Sequence, residues 1–273
     1  MSLHRRLSAL ALAAILATPA LAAADATPAA PAPRAMVTDR PSKTDGPFTL
    51  DAGRTQLEFE IFTHTRDAEA GVNTRALSLG STFVRWGATS QLELQLGWQT
   101  YARVTVDEAG ATTRAAGFGD TVLRAKYNFF GNDGGATALA LLPFAKIPTN
   151  QGGLGNRAVE PGVSLPFTAN LPAGWQLGLM TKWNRLLNGD GRGRHDFWEW
   201  SSIAGHSLTE KLSAYGELWT GRSGEAGTAA QSSAGLGLGY ALTADSCLDI
   251  SVNLALNRAT PDLAFSCGYS VRL

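Results

Sequence analysis

The chain has 273 residues, of which 23 are basic and 23 acidic, so its formal net charge is zero. This balance supplies no basic patch for a phosphate backbone, and the composition therefore argues against nucleic acid as a partner. Beyond the N-terminus no stretch is apolar for long enough to form a transmembrane helix. We therefore expect the chain either to be soluble or to enter a membrane as a closed β-barrel.

The N-terminus has the pattern of a secretory signal peptide. Arg5 and Arg6 form a basic start, residues 7–15 form an apolar run, and an Ala-Leu-Ala cleavage site completes the pattern. The apolar run is shorter than the roughly 20 residues of a membrane-spanning helix, which excludes an anchor. We predict a signal peptide over residues 1–22 and a flexible Ala/Pro-rich spacer over residues 23–37.

The rest of the chain is dominated by period-two alternation of apolar and polar side chains. The stretch QLELQLGW, residues 91–98, places leucine at every second position between Gln and Glu. Such alternation predicts a strand whose two faces meet different environments, as in a soluble sandwich or, with the polarity reversed, a membrane barrel. Twelve strand-like segments follow this pattern or a mixed one, at 56–61, 77–83, 91–98, 120–129, 136–148, 159–168, 175–184, 196–206, 211–221, 235–242, 248–257 and 263–273.

The connections between these segments alternate between short and long. Tight periplasmic turns and longer outer loops give this parity in an outer-membrane barrel, whereas a sandwich has no reason to keep it. The short connections lie at 86–90, 131–135, 170–174, 207–211 and 243–246. The longer, more polar connections lie at 63–73, 105–117, 148–157, 186–196 and 221–228.

A glycine pattern also favours the barrel over the sandwich. Glycine occupies residues 235, 237 and 239, opposite a line of Leu and Tyr. A solvent-exposed sheet face would carry strand-forming polar residues there, whereas inward glycines make room in a crowded lumen. Aromatic residues near segment ends are typical of membrane girdles, namely Trp86, Phe129, Trp175, Trp183, Trp219 and Tyr269. The predicted fold is all-β: an antiparallel transmembrane β-barrel of about twelve strands over residues 54–273, in the outer membrane of a Gram-negative bacterium.

The polar phase of the predicted strands carries charges of both signs. Such side chains can pair across the interior and close a narrow barrel, or they can line a weakly selective channel. The predicted lumen-lining charges are Glu58, Glu60, Glu93, Arg103, Asp120, Arg124, Lys126, Glu160, Lys182, Glu217, Asp249 and Arg272.

The segment before the first strand, residues 38–53, is too polar to cross lipid and is irregular in pattern. We call it the N-terminal segment. It contains Asp39, Arg40 and Pro41. It is expected either to fold into the lumen as a plug, with Arg40 meeting lumen carboxylates, or to cap the periplasmic mouth.

The stretch TDRPSKTDGPFTLDAGRTQLE (38–58) resembles the start of the outer-membrane family described as a MetA pathway of phenol degradation. The family carries an Asp-Arg-Pro start, a Ser/Gly-Pro-Phe-Thr step, and a glycine before a Gln-Leu-Glu strand. In this chain these are Asp39, Arg40, Pro41, Gly46, Pro47, Phe48, Thr49, Gly53, Gln56, Leu57 and Glu58. Further matches are GFGDTVLRAKYNF (117–129), KIPTNQGGLG (146–155) and GYSVRL (268–273). The resemblance implies an outer-membrane barrel that passes small hydrophobic or aromatic compounds, and it carries no catalytic motif.

Residues with catalytic chemistry form no recognisable site. His206 and Ser207 are adjacent on a predicted strand and point to opposite faces, so they cannot act as base and nucleophile. The loop at 188–196 contains Asp and His but lacks the spacing of a cation site. We therefore predict no enzymatic activity, no cofactor and no metal.

The two cysteines, Cys247 and Cys267, are expected in an oxidising compartment. Folding the last hairpin about residue 260 places Cys267 opposite Asn253, about six strand residues or ~20 Å from Cys247. A disulfide requires Cα atoms less than about 7 Å apart, so no bridge is predicted.

Three functions remain open at this point. The first is a passive channel for small molecules, including hydrophobic or aromatic ones. Apolar solutes would need either a wall that offers Trp, Phe or Leu surface or a lateral opening, which is expected at the glycine-rich strand 235–241. The second is a structural barrel with a closed lumen. The third is a lipid-modifying enzyme, for which the chain lacks an inward His/Ser/Asp set. The expected partners are membrane lipid and lipopolysaccharide, a small-molecule solute and the outer-membrane assembly machinery, with the oligomeric state left open.

Overall fold

The structure is a computed structural model that describes residues 32–273. The predicted signal peptide, residues 1–22, and most of the predicted spacer, residues 23–37, lie outside the described residues. Over residues 32–273, no helix has the length and apolar character needed to cross a bilayer.

The described residues form one antiparallel sheet that closes on itself. β4 and β5 both pair with β3, one on each half of it, and together form one interrupted strand of the wall. β1 pairs with β13 from Gln56↔Arg272 to Arg66↔Leu263, which completes the ring. The predicted antiparallel barrel of twelve wall strands is therefore confirmed. The strands are β1 Thr55–Glu69, β2 Val72–Gly87, β3 Leu92–Glu108, β4 Ala111–Gly117, β5 Thr121–Phe130, β6 Thr137–Ile147, β7 Glu160–Asn170, β8 Trp175–Leu187, β9 Arg194–Ser207, β10 Leu212–Ser223, β11 Gln231–Thr243, β12 Ser246–Ala255 and β13 Leu263–Arg272.

The alternation in β3 shows which face of the wall meets lipid. Leu94 and Leu96 are 43% and 44% exposed, whereas Glu93 and Gln95 are 0% and 4% exposed. A soluble sheet would bury the leucines, because burying apolar surface is what stabilises a core in water. The polarity is inverted here, so the apolar face lies outside and the polar face lines the lumen, as in outer-membrane barrels.

The glycines of β11 face the lumen, where neighbouring side chains fill the space that a Cβ would need. A Cβ on Gly237 would overlap the ring of Tyr215, and a Cβ on Gly235 would lie 2.7 Å from the Asn253 amide oxygen. β11 is nevertheless paired along its whole glycine-rich part with both β10 and β12. The ladder is therefore continuous at 235–241, where a lateral opening is predicted, because these glycines accommodate side chains and do not interrupt the pairing.

The period-two phase of β2 slips by one residue at Gly80, which has a φ of +69°. The hydroxyls of Ser78 and Ser81, three positions apart, lie 3.0 Å from each other on the lumen side. As a result Phe83, expected to share the lipid-facing phase of the leucines before it, points inward. The Arg124 guanidinium lies 4.4 Å from the centre of its ring.

The same irregularity overturns the lumen position predicted for Arg103. Gln99 donates to Ser78 from the lumen side at 2.8 Å, and Ala102 lies directly opposite Ser78. Because opposed residues share a face, the next position in β3 faces outward. Arg103 lies there, opposite Leu77, and it is exposed.

Two of the predicted outer loops are strands. The regions 63–73 and 105–117 continue the hairpins β1–β2 and β3–β4, which end in the two-residue turns Ala70–Gly71 and Ala109–Gly110. Both residues of each turn have positive φ, the geometry that suits the twist of a tight hairpin. Polar strands that extend beyond the lipid need no apolar face, so alternation does not reveal them. The other longer connections are loops, at 148–159, 188–193 and 224–230.

The register of the last hairpin differs from the prediction. Cys247 lies opposite Ser270, and Cys267 lies opposite Ile250. The cysteines are thus three strand positions apart instead of about six, and an odd separation puts them on opposite faces of the wall. Both are free thiols.

Candidate functional site: the lumen and the N-terminal segment

The N-terminal segment, residues 38–53, runs through the lumen without forming a strand. Asp45 and Leu50 of this segment are 8% and 5% exposed. The Thr44 hydroxyl lies 2.7 Å from that of Ser201 on β9. The segment therefore occupies space that would otherwise be open along the barrel axis.

Docking of the chain onto the barrel begins before the predicted boundary at residue 38. Arg34 forms an ion pair with Asp51 and donates to the Asn132 carbonyl at 2.9 Å. Arg34 lies within the spacer that was predicted to be flexible. The Ala/Pro-rich composition of the spacer gave no sign that this side chain binds defined partners.

Arg85 is the largest fully buried side chain among the described residues, at 1% exposure. It donates to Glu58 on β1 and, through Nε and Nη2, to Glu93 on β3 at 2.8 and 3.0 Å. Two carboxylates compensate one buried guanidinium, which is the arrangement that buried charge requires. Arg85 was missed by the sequence reasoning because the phase slip in β2 concealed its inward direction.

Asp39 ties the N-terminal segment to this cluster. Its two carboxylate oxygens accept from Lys126 Nζ at 2.8 and 2.7 Å, and its backbone N–H donates to Glu58 at 3.1 Å. Burial alone would raise the pKa of Asp39, but the charges of Arg85 and Lys126 outweigh it and hold that pKa below its ordinary value. Asp39 is therefore ionised at neutral pH and is held from two strands.

Asp45 forms a second anchor, on β5 and β8. Its carboxylate lies 3.1 Å from Arg124 on β5 and 3.2 Å from Lys182 on β8. Burial opposes its ionisation, but the Lys182 and Arg124 charges outweigh burial and place the pKa of Asp45 well below the ordinary range. Arg124 and Lys182, which stand far apart in sequence, meet at this one carboxylate.

Glu217 holds the backbone between these two anchors. Its carboxylate accepts from the N–H groups of Lys43 and Thr44 at 3.1 and 2.8 Å. The Lys43 ammonium lies 4.1 Å from the ring centre of Trp219. Trp219, expected in the membrane girdle, therefore lies in the lumen, on the same face of β10 as Glu217.

Arg40 bridges two carboxylates of different strands. It donates to Glu60 on β1 at 3.3 Å and to Asp249 on β12 at 3.1 Å. Its guanidinium lies over Gly268 of β13, where a Cβ would be 2.6 Å from the Arg40 Cζ. Pro41 follows Arg40 and carries the chain on across the lumen.

The remaining predicted lumen charges lie towards the ends of the barrel. Asp120 accepts from Asn150 Nδ2 and from the Asn156 N–H, at 2.7 and 2.6 Å, and so fixes the loop at 148–159. Glu160 accepts from the Leu187 N–H at 2.9 Å. Arg272 donates to Asp245 at the rim with the short turns. These three residues support the wall and its rims and do not contact the N-terminal segment over residues 38–53.

Two cavities lie on opposite sides of the N-terminal segment. The cavity on the side of the long loops has a volume of about 440 Å³. The cavity on the side of the short turns has a volume of about 890 Å³. Arg40, Pro41 and Ser42 line both cavities. These three residues therefore form a thin barrier between the two spaces.

The sequence matches the family described as "Putative MetA-pathway of phenol degradation" over residues 38–273. The chain belongs to this family. The match begins with the N-terminal segment, so the segment and the barrel are parts of one family pattern.

Solved structures of outer-membrane barrels share the fold of this family member. An outer membrane channel from Pseudomonas putida F1 is similar with a TM-score of 0.65 and 15% identity, covering 87% of this chain and 100% of that chain. The translocator domain of the autotransporter NalP from Neisseria meningitidis has a TM-score of 0.51 and 11% identity, covering 81% of this chain and 89% of that chain. Comparison with curated proteins finds no match. The outer-membrane location predicted from the sequence agrees with this fold.

Proposed function

We propose that this barrel is a narrow outer-membrane channel for small, weakly polar molecules, including aromatic ones, and that the N-terminal segment is its plug. The observation that carries the proposal is the thin barrier: two cavities are separated by Arg40, Pro41 and Ser42. Movement of these three residues would join the cavities while Asp39 and Asp45 keep the rest of the segment anchored.

The chemistry of the loop-side cavity supports an uncharged or weakly polar solute. Phe83 and Trp219 offer aromatic faces to it, and stacking on such faces favours planar aromatic molecules. Its charged lining is balanced, with five acidic and five basic side chains, so it has little net field to select ions. The acidic lining residues are Asp39, Asp45, Glu58, Glu60 and Glu199, and the basic ones are Arg40, Lys43, Arg85, Arg124 and Lys182.

The similar proteins support the proposal of a channel for small aromatic molecules. The similar Pseudomonas putida protein is described as an outer membrane channel, and the family description refers to phenol degradation. A phenol has the size and the mixed polarity that the loop-side cavity suits.

A catalytic role is not part of the proposal. The His206 ring stacks on Trp175, with centroids 4.9 Å apart, and its Nδ1 lies 3.2 Å from the Gly174 carbonyl oxygen.

A closed structural barrel is the competing function, and the strength of the plug anchors favours it. Conductance in planar bilayers and uptake of phenol by cells separate the two. The channel predicts small, weakly ion-selective conductance, and phenol uptake that falls on deletion of the gene. A protein without conductance, whose loss leaves phenol uptake unchanged, would be the structural barrel.

A disulfide distinguishes local movement of the barrier from expulsion of the whole plug. In a chain whose native cysteines are replaced by serine, Thr44→Cys with Ser201→Cys places two thiols where hydroxyls now lie 2.7 Å apart. Conductance that survives oxidation supports local movement. Conductance that disappears on oxidation and returns on reduction would mean that the whole segment must leave.

A further inference from the structure

An apolar groove lies on the lipid-facing side of the wall, away from the lumen. It spans strands β6 to β9 and has a volume of about 410 Å³. Thr181, the smallest side chain in its lining, leaves a depression between bulkier neighbours. The lining residues are Leu141, Val163, Leu165, Thr181, Trp183 and Trp198.

The groove reaches the long-loop end of the membrane. Trp183 on β8 and Trp198 on β9 are directly opposed and lie four residues from the strand ends that border the loop at 188–193. Trp198 and Trp200 are 42% and 44% exposed and stack with ring centres 6.3 Å apart. Exposed tryptophans at strand ends are typical of the boundary between lipid tails and headgroups. The groove is therefore open to the tails of the outer leaflet.

Arginines surround the headgroup end of the groove on the same outer face. Arg222 on β10 is exposed and lies directly opposite Trp198. Arg185 lies opposite Asp196, with which it forms an ion pair of 2.8 Å. Arg194 donates to the Arg185 carbonyl at 3.2 Å. Three arginines and one carboxylate leave this patch with a net charge of +2.

The spacing of these arginines suits a headgroup with two phosphates. From the strand register, the Cα atoms of Arg222 and Arg185 are two strands and two residues apart, or about 12 Å. Each guanidinium can bind a phosphate through two parallel N–H groups. Flexible arginine side chains at such a spacing can contact two phosphates held on one headgroup.

We propose that this face of β6–β10 is a binding site for lipid A, the diphosphorylated multi-acyl lipid of lipopolysaccharide. An acyl chain occupies the groove beside Thr181, and the phosphates lie against Arg222, Arg194 and Arg185. The site lies on the outer-leaflet side of the wall and combines an apolar groove with positive charge at its headgroup end. It therefore favours this lipid over a zwitterionic phospholipid.

Native mass spectrometry of the mature protein in detergent tests the site. Diphosphoryl lipid A, its dephosphorylated form and phosphatidylglycerol are each titrated as probes. Arg222→Gln is expected to weaken diphosphoryl lipid A binding at least tenfold, and Asp196→Asn to strengthen it by removing the carboxylate of the patch. Arg103→Gln, which removes an outward arginine from the distant strand β3, is the matched control and should bind as the wild type does.

A variant that fills the groove tests the acyl contact separately. Thr181→Phe should weaken binding of lipid A while leaving the arginines in place. Retention of the heat-shifted band in gels shows that each variant is folded. The site is refuted if Arg222→Gln binds lipid A as the wild type does. Equal binding of the dephosphorylated lipid or of phosphatidylglycerol would also overturn it, as would a loss in Arg103→Gln equal to that in Arg222→Gln.

Discussion

Gly268→Ala is expected to open the barrier between the two cavities without disturbing the wall. The glycine lies beneath the Arg40 guanidinium, and the added Cβ would be 2.6 Å from its Cζ. Non-bonded carbons favour separations of about 3.5 Å or more, so the guanidinium must move by about 1 Å. The atom that moves is at the end of a flexible side chain, so the backbone of β13 can stay in place.

The movement weakens both ion pairs of Arg40. They now measure 3.3 Å to Glu60 and 3.1 Å to Asp249, and a further 1 Å takes them beyond hydrogen-bonding distance. Hydrogen bonds to charged groups contribute about 1.5–3 kcal/mol each, and water from the adjacent cavities replaces part of this loss. A net loss of about 2 kcal/mol corresponds to roughly a 30-fold rise in the open-to-closed ratio.

Single-channel recording in planar bilayers measures this ratio directly. Gly239→Ala is the matched control, since it also adds a lumen-facing Cβ, whose nearest atom is the rotatable Ser213 hydroxyl at 2.9 Å. The control should gate as the wild type does. If Gly268→Ala is folded and its open-to-closed ratio equals that of the wild type, Arg40 is not part of the barrier.

Two further predictions concern the plug as a whole. Asp39 and Asp45 have lowered pKa values, so their contribution to docking is complete above an ordinary Asp pKa of about 3.9 and is lost only as the pH falls below it. Conductance should therefore increase as the pH falls below about 4, where protonation of these two carboxylates begins to release the segment; a conductance that stays the same from about pH 5 down to about pH 2 would contradict their anchoring role. Deletion of residues 38–53 should leave a heat-shifted, folded barrel with a larger conductance, because β1 and β13 pair without the segment. Loss of the folded band would show that the wall depends on it.

The fold could be predicted because lipid and water impose opposite demands on the two faces of each strand. Alternation in residues 91–98 was enough to place Leu94 outside and Glu93 inside. The predictions were wrong where a strand leaves the lipid or where its inward and outward positions exchange. The β1–β2 and β3–β4 hairpins extend beyond the lipid, and the irregularity at Gly80 reverses the phase of the residues after it.

The lumen charges were recognisable as a group, but their partners were not. Periodicity reports which face a residue occupies and carries no information on which distant residue stands across the lumen. Asp45 was therefore not expected to join Arg124 with Lys182, and Arg85 was missed altogether. Glu199 was missed as a lumen residue because β9 has a mixed pattern from which no phase could be read. Trp219 was missed because an aromatic residue near a strand end suggested a membrane girdle, although it shares the face of Glu217.

The position of Arg40 has a consequence for how the barrel is assembled. Gly268 of β13 stands directly between Glu60 of β1 and Asp249 of β12, and Arg40 joins these two carboxylates across it. Both carboxylates reach Arg40 only after β13, the last strand, has inserted between β1 and β12 in the correct register. If β13 slipped by one residue, Cys267 or Tyr269 would replace Gly268 beneath the guanidinium. Their side chains would occupy the space that Arg40 needs. The N-terminal segment therefore docks fully only onto a barrel whose last strand, β13, is in the correct register.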